Sequence, residues 1–596
     1  MTHRHLAPLA ASHSAPQPLV SSSGRYVLSS DGEIDNGGEL IARLRNEGRQ
    51  FPGATNLEAI TEGAAAWGVE AVLQRIEGEI AGALWDREQR RLYLFRDRLG
   101  AKPLYWTKGN GSFLFGSELK ALRASKDFQP SLDRDSLATY LRRKSVPSSY
   151  SIYRGVRSLE GGTILTLASS GEPQINRYWS LEDVVRKSAA NRFEGSDRDA
   201  LDRYDELLHL AARRRLGPAA VNVFLSGGID SALLLAIAKD LSNKPVRAFT
   251  VAFEHAAYDE SRDAEAIARH LGSEQTTLRL DALQVASVLP ELPDIADEPN
   301  ADISLIPAYL LARLAREHGG TIFTGDGAAE AFGGGSMFKD TAILYRRLAR
   351  LPMPVRRAAR KVIRLLPADA WTALSPLGPK SLRQEQFGDK LHRLSTVLTG
   401  DADEFYQLIR SHWDSPDELV IGGQERPETP EIRAAESLIP DFFDRMHFFH
   451  ALSTMPDAIL AKSDRAAAAA GVPLRFPFLD PSLAEFGWSL PQHLKLRDGR
   501  IKWIMNQAAY RYVPGALLDR RKMGFDAPMG DWLRGPLRDW AEDLLSEARL
   551  KREGVFKPQR IRERWQDHLL GRRNRQASLW VVLVFQAWKQ RWLPAG

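Results

Sequence analysis

Residues 224–234 read FLSGGIDSALL, two apolar runs with two glycines, two serines and an aspartate between them. VNVFL, residues 221–225, has the composition of a short buried strand, and SALLLAIAKDL, residues 231–241, that of a helix. Ser226-Gly227-Gly228 therefore falls where a strand feeds a helix, the place where open α/β sheets bind ligands. Glycines let backbone N–H groups approach an anion, and a helix start presents unpaired donors with a favourable dipole. Ser226 and Ser231 add hydroxyl donors. Asp230 repels phosphate by itself, so it implies a cation, Mg²⁺. A bare Ser-Gly-Gly is more often a capped turn; the full S-G-G-x-D-S between strand and helix argues for an anion site. It lacks the lysine of the G-x-x-x-x-G-K-[ST] phosphate loop.

The surrounding pattern predicts the fold class. VRAFTVAF and GTIFTGD are further short apolar runs, and helix-like stretches such as SRDAEAIARHL alternate with them from about residue 198. That alternation predicts an α/β fold, a parallel sheet covered by helices. Residues 24–120 instead read as β-rich, with Asp/Gly turn signals and one helical stretch from Asn56 to Trp67. The organisation predicted is an α+β domain over 1–180, a polar linker over 181–200, and an α/β domain over 201–596. The last carries a basic helical insert over 338–430 and a mainly helical end.

The 596 residues are 43% hydrophobic and 26% charged, ordinary for a globular chain. No apolar run reaches the roughly 18–20 residues of a spanning helix, and the start lacks a signal-peptide core. A cytoplasmic address with no membrane partner is expected. A net charge of +6 is mild for this length, and nucleic acid is not an expected partner. The basic stretch 346–364 reads as a solvated face, one that could contact an acidic peptide or partner.

SGGIDS resembles the pyrophosphate-binding loop of the ATP pyrophosphatases, which cleave ATP to AMP and pyrophosphate. Further stretches are similar to the asparagine synthetase family within that group. These are AFTVAFEHAAYDESRDAEAIARHLG (248–272), DEPNADISLIPAYLLARLARE (297–317), TGDGAAEAFGGG (324–335), KSDRAAAAAGVPLRFPFLD (462–480), LPQHLKLRDGRIKWIMNQAA and RRKMGFDAPMGDWL. The resemblance implies ATP and Mg²⁺, with Leu225, Ser226, Gly227, Gly228, Asp230, Ser231, Val251, Phe253 and Gly325 around ATP and pyrophosphate. It implies Asp230 as metal ligand and Lys502, Asp326 and Lys522 as catalytic residues. By position alone Lys502 would be a solvated helix lysine.

SDGEIDNGGEL, LFRDRLGAKPLYW and FGSELKAL resemble the family's Ntn-hydrolase-like glutaminase domain, and here the sequence departs from it. The family's nucleophile is an N-terminal cysteine, and this sequence holds no cysteine. The chain begins near the family's H-R-x-L segment, so the start of that domain is expected to be missing. Asp31 stands where the resemblance implies an oxyanion-hole Asn, and Asn56 where it implies an Asp. Without a thiolate there is no thioester step, and a degenerate, structural domain is expected. In the synthetase half Ala329 replaces an implied metal-binding Asp. Pro473 and Gly335 replace a Glu and a Tyr in regions expected to shape the acceptor pocket.

Three readings follow. The first is an amide-forming ligase that adenylates a carboxylate for attack by an amine other than glutamine-derived ammonia. It resembles the lasso-peptide macrolactam cyclases, whose substrate is a precursor peptide processed by a protease. The second is an asparagine synthetase or another small-molecule amidotransferase. The third is a noncatalytic protein that keeps the fold, for which Ala329 speaks. Asp259 and Glu260 read equally as helix caps, Arg475 and Asp480 as a structural ion pair, and Ala466–Ala470 as tight helix packing.

Overall fold

The computed structural model describes residues 17–593 except 54, 110, 170, 218, 256–257, 376–386 and 520–526. Its amino-terminal part holds two antiparallel sheets. Strands β1 (Leu19–Val20), β2 (Tyr26–Ile34), β3 (Gly78–Asp86) and β4 (Arg91–Arg96) pair in order. After β5 (Tyr105–Gly109), β6 (Ser112–Gly116) and β7 (Val156–Ser158), strands β8 (Thr163–Ala168) and β9 (Gln174–Arg177) complete the six-stranded sheet β1-β2-β3-β4-β8-β9. The hairpin β5–β6 joins β7 in a three-stranded sheet. Ala81, Ala83, Leu94, Leu104, Trp106, Leu159 and Leu165 form one buried cluster drawn from both sheets. The opposite face of the large sheet is covered by helix Glu58–Trp67, where the sequence placed one, through Ala59, Ile60 and Ala64.

The second part is a five-stranded parallel sheet, as the alternating pattern predicts. β10 (Val221–Phe224), β11 (Val246–Phe253), β12 (Glu274–Leu280), β13 (Thr321–Phe323) and β14 (Leu474–Arg475) lie in the order β12-β11-β10-β13-β14. The chain leaves β10 toward β11 on one side and later returns to β13 on the other. The carboxyl ends of β10 and β13 therefore flank the point where strand order reverses, the natural crevice of such a sheet. β10 is buried because both its faces are covered, which explains its unbroken apolar run.

Two features differ from the sequence expectation. Residues 181–190 are not an extended linker. They form a helix whose Leu181, Val184 and Val185 pack with Phe338, Phe442 and Trp488. Its apolar positions are few but lie on one face, and polar composition concealed them. Ser196 then starts helix Asp197–Arg215 with a capping box to Asp199. Arg475 and Asp480 do not pair with each other. Arg475 pairs with Glu33 and, at 3.5 Å, Glu79, while Asp480 lies 3.3 Å from Arg215. Arg475 stitches the two parts of the chain together, and Asp480 steadies Arg215, which itself reaches Asp35 and Glu79 of the amino-terminal part. Among the described residues no helix is long and apolar enough to cross a membrane.

Candidate functional site

The loop after β10 closes on itself. Ser226 N–H donates to Ser231 Oγ at 3.0 Å, the two serine hydroxyls meet at 3.1 Å, and Gly228 N–H donates to Ser226 Oγ at 3.1 Å. Leu225 is held from behind: its N–H donates to Phe249 O at 2.8 Å and its carbonyl accepts from Thr250 Oγ1 at 2.9 Å. Helix Ile229–Leu241 starts immediately after, with no side-chain cap. Its first-turn amides thus remain available to an anion. A Cβ at Gly227 would come within 3.1 Å of the Asp263 Cβ, so a side chain there would have to push its neighbour aside.

Asp230, in the first turn of that helix, meets Lys502. The Lys502 Nζ lies 2.6 and 2.7 Å from the two carboxylate oxygens of Asp230. The side chains are 9% and 11% exposed, so water screens the pair little. Lys502 is not a solvated helix lysine. It sits at φ +54° just before helix Trp503–Ala509, a left-handed position uncommon for a side-chain-bearing residue. Its N–H donates to Gly333 O at 3.3 Å. Gly334 lets its arm pass: a Cβ at 334 would fall 2.2 Å from Lys502 Cε and 2.6 Å from Ala329 Cβ. The lysine arm and the Ala329 methyl therefore border the same point.

These groups open on a cavity of about 380 Å³, a usual size for a small-molecule site. Of the residues expected around ATP, Ser226, Asp230, Ser231, Gly325 and Asp326 line it. Asp326, after β13, is held by Ser463 Oγ at 2.7 Å and Thr324 Oγ1 at 3.2 Å. Gly227 and Gly228 form the loop beneath, and Lys502 reaches the cavity through Asp230. Val251 and Phe253 lie along β11 with buried side chains in the core and do not line the cavity. Lys522 lies outside the described residues. Asp259 accepts from Ser261 N–H at 3.0 Å and so does cap its helix, whereas Glu260 gives no side-chain cap. Ala466 and Ala467 pack in the core and also border the cavity.

Several lining residues escaped the sequence reading. The segment His450–Leu460 is a π-helix containing Pro456, continued by helix Ala461–Ala470. Its wide turn brings His450, Thr454 and Ile459 to the cavity, and Ser463 follows from the helix. His450 Nδ1 lies 2.8 Å from Glu330 Oε1. Burial alone would raise the Glu330 carboxyl, but the His450 contact and the Lys502 charge hold it below its ordinary value. Across the cavity Asp302 binds Lys144 at 2.7 Å, and Lys462 donates to Ser304 at 2.5 Å. Burial opposes the Asp302 charge, yet Lys144 and Lys462 drive its carboxyl far below the usual range. Lys144 comes from the amino-terminal part, so both parts of the chain build this wall. Glu330, Asp302 and Lys462 all sit inside motif stretches, but only the fold shows which of their charges face inward.

In the amino-terminal part the two departing residues have protein partners. Asp31 lies 3.8 Å from Lys102 Nζ, which binds Asp464 of the second part at 2.6 Å. Asn56 is occupied by a 3.3 Å bond to the Ile34 carbonyl.

Residues 203–590 match the family described as Asparagine synthase, and residues 1–179 match a Glutamine amidotransferase domain. The chain belongs to the asparagine synthase family. Members of this family are ATP-dependent carbon–nitrogen ligases. A putative asparagine synthetase [glutamine-hydrolyzing] of Mycobacterium tuberculosis is 32% identical over 579 residues, covering 95% of this chain and 84% of the relative. Asparagine synthetase [glutamine-hydrolyzing] 1 of Bacillus subtilis is 26% identical, covering 97% and 88%. Among solved structures, a glutamine-dependent NAD⁺ synthetase from Acinetobacter baumannii in complex with ADP is similar at 14% identity and a TM-score of 0.20, covering 51% of this chain and 75% of that one.

Proposed function

We propose that this chain adenylates a carboxylate carried by a peptide and joins it to an amine of the same peptide, closing a macrolactam. The observation that carries the reading is a contrast between the two sites. The synthetase site keeps its uncapped phosphate loop and the Lys502–Asp230 pair. The amidotransferase part has no cysteine and a carboxylate at Asp31 paired with Lys102. The reading therefore takes the nucleophile from the substrate.

The steps follow from the residues. A substrate carboxylate oxygen attacks the α-phosphorus of ATP, the bond to the bridging oxygen breaks, and pyrophosphate leaves toward the loop. The Ser226 and Ser231 hydroxyls and the first-turn amides of helix Ile229–Leu241 hold it. The amine nitrogen then attacks the acyl carbon, and the bond to AMP breaks with its electron pair on the AMP oxygen. Lys502 supplies a fixed positive charge where negative charge develops in both steps. His450, oriented by Glu330, faces the cavity and accepts the proton the amine loses.

Mg²⁺ fits this site as a companion of the ATP phosphates. Among the described residues no cluster of three His, Asp or Glu side chains could hold a metal by itself. Asp230 and Asp326 face one cavity, and hard oxygens suit Mg²⁺ when the phosphates supply further ligands. Bound there, the ion would neutralise phosphate charge. Ala329 contributes no ligand, and the ammonium of Lys502 already supplies one positive charge at Asp230.

The relatives' names favour a second reading, asparagine formation from aspartate and ammonia. One experiment separates the two. Purified protein with ATP and Mg²⁺ is given either aspartate plus ammonium or candidate precursor peptides bearing an internal Asp or Glu. AMP, pyrophosphate, asparagine and loss of one water from the peptide are then measured. Peptide dehydration with AMP release supports cyclisation, and asparagine formation overturns it.

A further inference from the structure

Helix Met353–Leu365 carries a face that the site does not use. Its inner side is fixed. Ile363 is buried, Arg360 Nη1 donates to Thr399 Oγ1 at 2.7 Å, and the Ile363 carbonyl accepts from Trp371 Nε1 at 2.8 Å. Its outer side is apolar where solvent should be. Val355, Val362 and Leu365 are 48%, 52% and 76% exposed, Ala358 is exposed between them, and Leu351, 43% exposed, lies in the bend just before the helix. Positions 355, 358, 362 and 365 alternate steps of three and four, the spacing of one coiled-coil seam. At 100° per residue they span an arc of only about 80°.

Beside the seam runs a row of cations. Arg357, Lys361 and Arg364 are exposed at steps of four and three, and Arg350 is exposed in the turn before the helix. Residues 341–368 contain eight Lys and Arg and no Asp or Glu. No carboxylate pairs with Arg350, Arg357 or Lys361 among the described residues. A seam flanked by one sign of charge selects its partner by the opposite sign at the facing positions.

We infer that this face docks an amphipathic α-helix of another polypeptide, apolar along one seam and rich in Glu or Asp beside it. A second copy of this chain does not suit the face, because its own cations would oppose these. A lipid surface suits it poorly: the seam is narrow and purely aliphatic, whereas helices that lie in a bilayer interface carry a wider face with Trp or Phe.

The test needs no substrate. A fluorescein-labelled peptide of three heptads, Leu at the seam and Glu beside it, is titrated with the full chain and followed by anisotropy. Saturable binding with a Kd on the order of tens of micromolar is expected. It should weaken roughly tenfold or more with Val362→Asp, with the pair Arg357→Glu and Lys361→Glu, and in about 0.5 M salt. All three side chains are exposed, and an unchanged melting temperature would show the variants folded. A peptide with Lys in place of Glu should fail on the original chain and bind the doubly reversed variant. Absence of saturable binding, equal binding of the Lys peptide, or binding undiminished by Val362→Asp would overturn the inference. So would sedimentation of the original chain, but not Val362→Asp, with phosphatidylserine vesicles, which would assign the face to lipid.

Discussion

Replacing Lys502 by Met removes the ammonium and leaves the Asp230 carboxylate, 11% exposed, without its nearest cation. Breaking a buried ion pair from one side costs about 3–5 kcal/mol. Asp230 lies in the first turn of helix Ile229–Leu241, where the helix dipole returns about 0.5–1 kcal/mol to a carboxylate. The net loss is therefore about 2–4 kcal/mol, and Asp230→Asn should cost a similar amount by stranding the lysine. The double variant leaves two neutral groups of nearly unchanged volume. Its destabilisation should fall short of the sum of the singles by at least about 1.5 kcal/mol. At about 2 °C per kcal/mol for a large domain, each single variant should lower the melting midpoint by about 4–8 °C, and the double variant by no more than one of them. Thermal unfolding followed by intrinsic fluorescence without ATP reads this directly. Additive losses would show that the two side chains do not pair in solution, and the argument that Lys502 is posed by Asp230 would fail.

Other consequences follow from the same geometry. Gly334→Ala pushes a methyl into Lys502 Cε and the Ala329 methyl, so carboxylate-dependent pyrophosphate exchange should fall about a hundredfold while unfolding shifts by about 1–3 kcal/mol. His450→Gln should leave adenylation, read as pyrophosphate exchange, within about threefold, but slow amide formation about a hundredfold or more; equal loss of both would refute its role as proton acceptor. Burial pushes the Glu298 carboxyl up to about 7 and that of Asp457 up to about 6. Each folded carboxyl holds a proton that the unfolded one has lost, so stability declines as pH rises from about 4.5 to about 7, and Glu298→Gln should flatten that decline in midpoint-against-pH curves. Incubation of this chain with glutamine should release no ammonia above background, because no thiolate is present and Asp31 faces Lys102.

The loop at Ser226 was legible because its chemistry is local: strand, glycines and helix start are contiguous. The same holds for the parallel sheet, whose apolar runs are unbroken because both faces are covered. Asp31 and Ala329 stand out only against the motifs that the sequence resembles. The helix at 181–190 was missed because four buried positions in ten leave a polar average, although they share one face. The His450–Glu330 and Lys144–Asp302 pairs join residues 120 and 158 positions apart, and no local period records which charges a fold brings together. The π-helical turn that aims His450 inward likewise has no sequence signal beyond Pro456. Arg475 and Asp480 read as one ion pair, but Arg475 pairs with Glu33 and Glu79 of the amino-terminal part and Asp480 with Arg215.

The most direct test of the central claim is exchange of radiolabelled pyrophosphate into ATP with a peptide carboxylate as the only acceptor and no glutamine present. The account predicts exchange that depends on the peptide's Asp or Glu and is lost in Lys502→Met, with the dehydrated peptide as product. ATP binding without exchange for any carboxylate, or exchange that persists in Lys502→Met, would contradict it.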